Sequence, residues 1–180
     1  MRGDKVHIRF LMLEDAPDKL KMELDNKEFF GEFSADGDEE DLFTLPMQQE
    51  VIEQSVQNRE TGREYNFGIF ENSSARMVGT VNLFRIFRGP LQSAMIGYAV
   101  DRKYNGQGYA TEAIRLAVDY AFKKLGLHRI EAGVMPHNAP SIRVLEKAGF
   151  EREGLARKNV KISGKWQDHV VMAIINPEDD

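Results

Sequence analysis

The chain reads as an α/β domain built on a mixed β-sheet, and three observations predict this class. Strand-like and helix-like periodicities follow the order β-α-α-β-β-β-α-β-α-β-β, seven strands and four helices. Between residues 94 and 135 a strand, a helix and another strand succeed one another, as a parallel pair with a crossover helix would. On either side the strands come in turn-linked pairs, the mark of antiparallel hairpins.

Each element has its own signal. From Val6 to Leu13 polar and apolar residues partly alternate as a strand, and after Glu14-Asp15 the pattern turns helical through Leu20 and Leu24. Pro46 followed by QQEVIEQSVQNRE predicts a second helix that stops near Thr61-Gly62. YNFGIF, an Asn-Ser-Ser turn and MVGTVNLF read as a hairpin, Arg88-Gly89-Pro90 turns the chain again, and AMIGYAV follows as a strand. Ala110, Ala113, Ile114, Ala117, Val118, Ala121, Phe122 and Leu125 recur at spacings of three and four, one apolar stripe of a helix ended by Gly126. RIEAGVM alternates as a strand. Asn138 can cap the next helix, with Pro140 in its first turn, Ile142, Leu145 and Ala148 on its buried side and Gly149 at its end. LARKNVKI and DHVVMAII close the chain as two strands around a Ser-Gly-Lys turn.

Composition narrows the function classes. The 180 residues suit a single domain over 1–180, and 42% hydrophobic with 29% charged residues implies neither disorder nor a fibre. Zero cysteines exclude disulfides, thiol catalysis and cysteine-zinc sites, which fits a reducing cytosol. The opening MRGDKVHIRF has no apolar signal core, and no apolar run approaches the roughly 18 residues of a membrane span, so a cytoplasmic protein is expected. A net charge of −5 is the wrong sign for affinity built on nucleic-acid phosphates. The run DGDEED, Asp36 to Asp41, reads as a solvated loop or as an attraction for basic partners.

The stretch NGQGYATEA, residues 105 to 113, places two glycines where a helix begins. A helix start offers unpaired N–H groups and partial positive charge, and glycines admit a bulky anion close to the backbone. The nucleoside-triphosphate loop requires Lys-Ser/Thr where this chain has Tyr109-Ala110. A dinucleotide fingerprint requires a third small residue where Thr111 stands, and an acid at the far end of the next strand, whereas Glu131 lies near its start. The pyrophosphate of coenzyme A and a turn with no ligand stay open.

The motif has neighbours. AMIGYAV, then KYNGQGYATEAIRLAVDYAF, then LHRIEAGVMPHNAPSIRVLEKAGFEREG resembles the acyl-CoA-binding core of the GNAT superfamily of N-acetyltransferases. More narrowly, it is similar to the RimJ/RimL-type branch, which acetylates the N-terminal residue of ribosomal proteins. The likeness covers roughly residues 90 to 175, with a looser match at HIRFLMLEDAPDKL. One departure is Lys103, where the superfamily often has Gln or Arg. Backbone N–H groups carry most anion binding in such a loop, so the change is expected to matter little.

The resemblance implies a GNAT-like fold, a central twisted mixed sheet of about seven strands with a splayed parallel pair, flanked by about four helices. It further implies an acyl-CoA core over about 90–175 and acceptor-side helices over about 14–62. The loop led by Lys103, with the N–H groups of Asn105, Gly106, Gln107, Gly108, Tyr109 and Ala110, would hold the pyrophosphate. Val100 would pair its backbone with the pantetheine arm. Gly97 fits either the bulge that splays the strands or close backbone packing. Asn138 is a helix cap, a pantetheine contact or both, and Arg143 a solvated residue or a cofactor contact. Ser141 is a first-turn serine or the proton donor to the departing thiolate. Tyr98 and Ala99 would polarise the thioester carbonyl through their N–H groups.

No general base stands out. Asp168 resembles a recurrent family acid or orients the last hairpin; His137, His169, Glu131 and Tyr98 are further candidates. An α-amino group has a pKa near 7.7 to 8.0, so roughly one in ten is neutral at pH 7 and a weak base suffices. The function implied is acetyl transfer from acetyl-CoA to a primary amine, foremost the N-terminal alanine or serine of a ribosomal protein, by direct attack and without a metal. The alternatives are acetylation of a polyamine, aminoglycoside or amino-acid derivative, and a non-catalytic acyl-CoA sensor. Expected partners are acetyl-CoA and the acceptor, with no direct nucleic-acid contact and no membrane; a homodimer is compatible with all of this.

Overall fold

Alternation in the chain becomes strands that bury one set of side chains, and the 3.6-residue stripes become helices that cover them. The computed structural model describes residues 1–33 and 43–179, and the acidic run lies outside the described residues. The strands are β1 (Val6–Phe10), β2 (Tyr65–Glu71), β3 (Met77–Phe87), β4 (Ser93–Val100), β5 (Arg129–Val134), β6 (Glu151–Ile162) and β7 (Lys165–Ile175). The helices are α1 (Ala16–Asp25), α2 (Lys27–Gly31), α3 (Leu45–Glu60), α4 (Tyr109–Lys123) and α5 (Ala139–Ala148). Among the described residues the strands form one seven-stranded sheet in the order β1-β2-β3-β4-β5-β7-β6. Only β4 and β5 run parallel; every other neighbouring pair is antiparallel. The expected mixed sheet with a parallel pair is therefore present.

Alternation along β2 divides the interior. Tyr65, Phe67 and Ile69 enter the main core with Ala113, Ile114, Ala117 and Val118 of α4 and Ile142 and Leu145 of α5. Phe70 joins a smaller cluster with Ala16 and Met22 of α1 and Ile52 of α3. The predicted stripe of α4 is thus its buried face. Gly126 and Gly149 take left-handed backbone, φ +61° and +104°, just beyond α4 and at the end of α5.

Several elements differ from the sequence reading. β1 ends at Phe10 because Asp15 accepts Arg9 Nη1 and Nη2, each at 2.7 Å, and the Met12 N–H at 2.8 Å, drawing Leu13–Asp15 into a 3₁₀ turn. The short helix α2 is additional; at five residues it is too brief for periodicity to register. β6 and β7 begin at Glu151 and Lys165, ahead of LARKNVKI and DHVVMAII. β6 is an edge strand whose exposed residues need no apolar alternation. Among the described residues no helix is long and apolar enough to cross a membrane.

Candidate active site

The cleft exists because a ladder stops. β4 pairs with β5 only through Ser93, Ala94 and Met95 against Arg129, Ile130 and Glu131; beyond them the parallel strands part. Gly97 is not a bulge. Its ladder with β3 runs in register through Asn82, and the shift lies further along, between Phe84 and Phe87. A Cβ on Gly97 would stand 2.9 Å from Asn82 Oδ1, so glycine serves close approach there. Gly79 on β3 has the stricter requirement: its Cβ would stand 2.4 Å from the Ala99 carbonyl oxygen. The position of Ala99 and Val100 at the cleft wall thus depends on a glycine one strand away.

Next to the splayed strands lies the glycine loop. Gly106 and Gly108 have φ of +78° and +83°, left-handed values that strain any other residue. The first bond of α4 runs from the Glu112 N–H to the Gly108 carbonyl, 3.1 Å. The amides ahead of it have no helical acceptor and lie at the positive end of the helix dipole. Tyr109, the first residue of α4, is buried, stacks on Tyr104 and donates its hydroxyl proton to Glu71. That contact fixes the helix start to the end of β2.

The N-terminal segment completes this end of the cleft, through contacts that leave no short-range pattern in the chain. Glu112 accepts the backbone N–H groups of Asp4, Lys5 and Val6 at 2.9, 2.8 and 2.7 Å. Lys5 then extends its ammonium to the Gln107 carbonyl, 2.8 Å away. The Gln107 carbonyl is thus held by Lys5, and Gln107 is not among the residues that line the cleft. Lys103 turns aside: its ammonium pairs with Asp101 at 2.7 Å, and it lines an adjoining recess rather than the main cleft.

At the other end two hydroxyls meet. The Tyr98 hydroxyl lies 2.6 Å from Ser141 Oγ and 3.2 Å from the Ser141 carbonyl oxygen. Burial pushes the Tyr98 phenol up to about 12, against the opposing hydrogen bond with Ser141. At neutral pH the phenol keeps its proton, so it can donate one and is a poor base. Asn138 caps α5 with Oδ1, accepting the Ser141 N–H at 3.2 Å, which holds Ser141 opposite Tyr98.

The resulting cleft has a volume of about 1190 Å³. Tyr98, Val100, Asn105, Gly106, Gly108, Tyr109, Ala110, Asn138 and Ser141 all line it. Of the base candidates only His137 and Tyr98 do so, and the His137 ring lies 5.9 Å from that of Phe33. Asp168 is in the last hairpin, where Oδ1 accepts the Lys158 N–H at 2.8 Å. Glu131 is held by Arg129, and His169 is buried beside Gly133. Glu23, Phe29, Phe30 and Phe33 form a wall the sequence did not mark, since two short helices and a connection bring them there. Among the described residues no group of His, Asp and Glu is arranged to hold a metal.

Strands splayed beside a glycine-lined helix start define a cleft for a phosphate-bearing acyl carrier, the architecture of an acyltransferase. Residues 5–151 match the family model of the acetyltransferase (GNAT) domain, and the chain belongs to that family. It is 51% identical to a probable N-acetyltransferase, YjcK, of Bacillus subtilis, over 100% of this chain and 99% of the relative. The ribosomal-protein-S5-alanine acetyltransferase of Vibrio fischeri superposes with a TM-score of 0.92 at 27% identity, covering 100% of this chain and 98% of that one. RimJ of Mycobacterium smegmatis, solved with CoA-disulfide, gives 0.91 at 29% identity over 97% and 83% of the two chains. The protein is accordingly an acetyl-CoA-dependent N-acetyltransferase.

Proposed function

We propose that the acceptor is the α-amino group of a protein N-terminus, foremost alanine or serine on a ribosomal protein, attacked directly in a ternary complex. The observation that carries the reading is the Tyr98–Ser141 hydroxyl pair, in the cleft that the glycine loop and Phe29, Phe30 and Phe33 also line. Similarity along nearly the whole length of a ribosomal-protein alanine acetyltransferase supports the choice of acceptor.

In this reading acetyl-CoA supplies the activated thioester. The amides from Asn105 to Ala110 hold its pyrophosphate, Lys103 supports the loop through Asp101, and Val100 offers backbone to the pantetheine arm. Asn138 acts through its cap and through the free edge of its side-chain amide. Amide groups of the unpaired edge of β4 around Tyr98 and Ala99 polarise the thioester carbonyl. Tyr98 and Ser141 pass a proton to the leaving sulfur, and the tyrosine is the group whose proton is retained at neutral pH. His137, exposed at the cleft beside Phe33, accepts the amine proton directly or through water. Asp168 serves by holding the last hairpin in shape. Residues 1–180 act as one domain, with the acyl-CoA core at about 90–175 and the acceptor-side helices at about 14–62.

Acetylation assays decide the acceptor. Peptides beginning with alanine or serine should be turned over with kcat/KM at least about tenfold above spermidine and aminoglycosides, since peptide contacts add binding energy. Turnover of the small amines without turnover of any peptide would replace the protein acceptor by a small-molecule one.

A further inference from the structure

Trp166 is the single tryptophan of the chain, and 61% of its surface is exposed. It stands on β7 directly opposite Lys161 of β6, so the two side chains share a face of the hairpin. Leu155, opposite Val170 and 53% exposed, falls on that face too, because Trp166, Asp168 and Val170 alternate onto one side of β7. An indole and a leucine left in water on one face need a reason that folding does not provide.

The charges beside them are of one sign. Between Glu153 and Asp168 the chain carries Arg157, Lys158, Lys161 and Lys165 and no acid. All four are exposed, and among the described residues none forms an ion pair. The acids at either end are engaged: Glu153 accepts Arg129, and Asp168 accepts the Lys158 N–H. A net charge of −5 thus averages over a surface with one local basic projection.

Register places this projection. The last β5–β7 pair is Val134 with Val170, so residues 165–169 continue past the end of β5, the end at which β4 and β5 part. None of the four cations lines the cleft, and neither does Trp166. The hairpin therefore stands outside the acyl-CoA site, at the same end of the sheet.

We propose that the β6–β7 hairpin binds single-stranded RNA, with its cations on successive phosphates and Trp166 stacked on a base. Cations alone suit any polyanion, an acidic peptide included. The exposed indole decides between them, since a base has a flat face to lay on it and a carboxylate has none. The inference rests on the reading of a ribosomal-protein acceptor, whose N-terminus is presented beside RNA, and it gives the enzyme a hold on the particle separate from its hold on the amine. Because the rest of the chain is acidic, the contact is local and sensitive to salt.

A sole tryptophan makes the test specific, because its fluorescence reports this hairpin alone. The full chain is titrated with a single-stranded RNA of about 12 nucleotides, a length within the range such sites cover. RNA should quench Trp166, and four phosphate contacts should weaken binding about 10²-fold between roughly 50 mM and 300 mM salt. Lys161→Gln/Lys165→Gln should halve the salt dependence, and Trp166→Ala should weaken binding about tenfold, read by anisotropy of labelled RNA. Saturating coenzyme A should leave the RNA affinity unchanged. Both variants should acetylate a short N-terminal peptide within about twofold of the intact protein. Absence of quenching by RNA would overturn the proposal, and so would its abolition by coenzyme A, which would put the RNA in the cleft. Equal competition by poly-glutamate would replace RNA by an acidic protein. Peptide turnover without RNA binding would remove the hairpin contact and leave the acceptor reading standing, whereas RNA binding without peptide turnover would do the reverse.

Discussion

Tyr98 and Ser141 illustrate how two ordinary residues become a functional unit. Neither is unusual in sequence; 43 residues separate them, and a 2.6 Å contact joins them across the splay. If they pass one proton, removing either breaks the same route. Tyr98→Phe and Ser141→Ala should each lower kcat by about 10²-fold. The double variant should be no worse than the poorer single one, because residues acting as a unit are not additive. Acetyl-CoA KM should change little, and steady-state kinetics on the three variants checks both statements. Legibility at this scale was uneven. Gly106, Gly108, Asn138 and Ser141 were visible because backbone chirality and helix capping leave short-range signatures. Lys5 and Glu23 were not, because their places in the cleft depend on contacts with residues 102 and 25 positions away.

At the scale of elements, α4 is the organising piece. Its stripe was readable from spacing alone, and so was the turn that precedes it. Its attachment to the N-terminal segment was not, since an acid in a first helical turn is commonplace. Glu112 turns that commonplace into a clasp, and a Cβ on Gly3 would stand 2.5 Å from the Glu112 side chain, so glycine there clears its path. Glu112→Ala leaves three N–H groups without their acceptor and should cost about 2–3 kcal/mol. Chemical denaturation measures the loss. Hydrogen exchange should show it first at the amides of Lys5 and Val6, well before the core of α4. The edge strand β6 was legible only in part for a related reason. An exposed strand shows its neighbours only a backbone, and a backbone has no sequence signal.

For the whole molecule the clearest expectation concerns pH. Tyr98 has its folded-state pKa raised above the unfolded value of 10.0, so the folded form holds its proton longer. Its contribution to stability is complete below pH 10 and is lost as pH rises from 10 toward 12. Activity should follow a different group. With an N-terminal peptide, kcat/KM should rise about tenfold per pH unit below the α-amino pKa of about 8 and level off above it. No falling limb from Tyr98 should appear up to pH 10. A fall centred between pH 8 and 9.5 would remove the tyrosine from the proton route; initial rates across pH 6 to 10 give the answer. The mixed sheet with one parallel pair was legible because the hairpins and the crossover helix are local in the chain; the place of β7 between β5 and β6 was not, since β5 and β7 pair across about 35 intervening residues. The depth and lining of the cleft were not, since they arise from residues 5 to 147 meeting in space.

Only three residue pairs join β4 to β5, although each strand is longer than that. Mechanically the sheet is two leaves, β1 to β4 and β5 with β7 and β6, sharing a short spine. Besides that ladder, α4 and α5 pack over the sheet and bear on each other through the core and through Arg115. Substitutions along that helix–helix seam, remote from any reacting atom, would therefore change the width of the opening between the leaves while leaving each leaf intact.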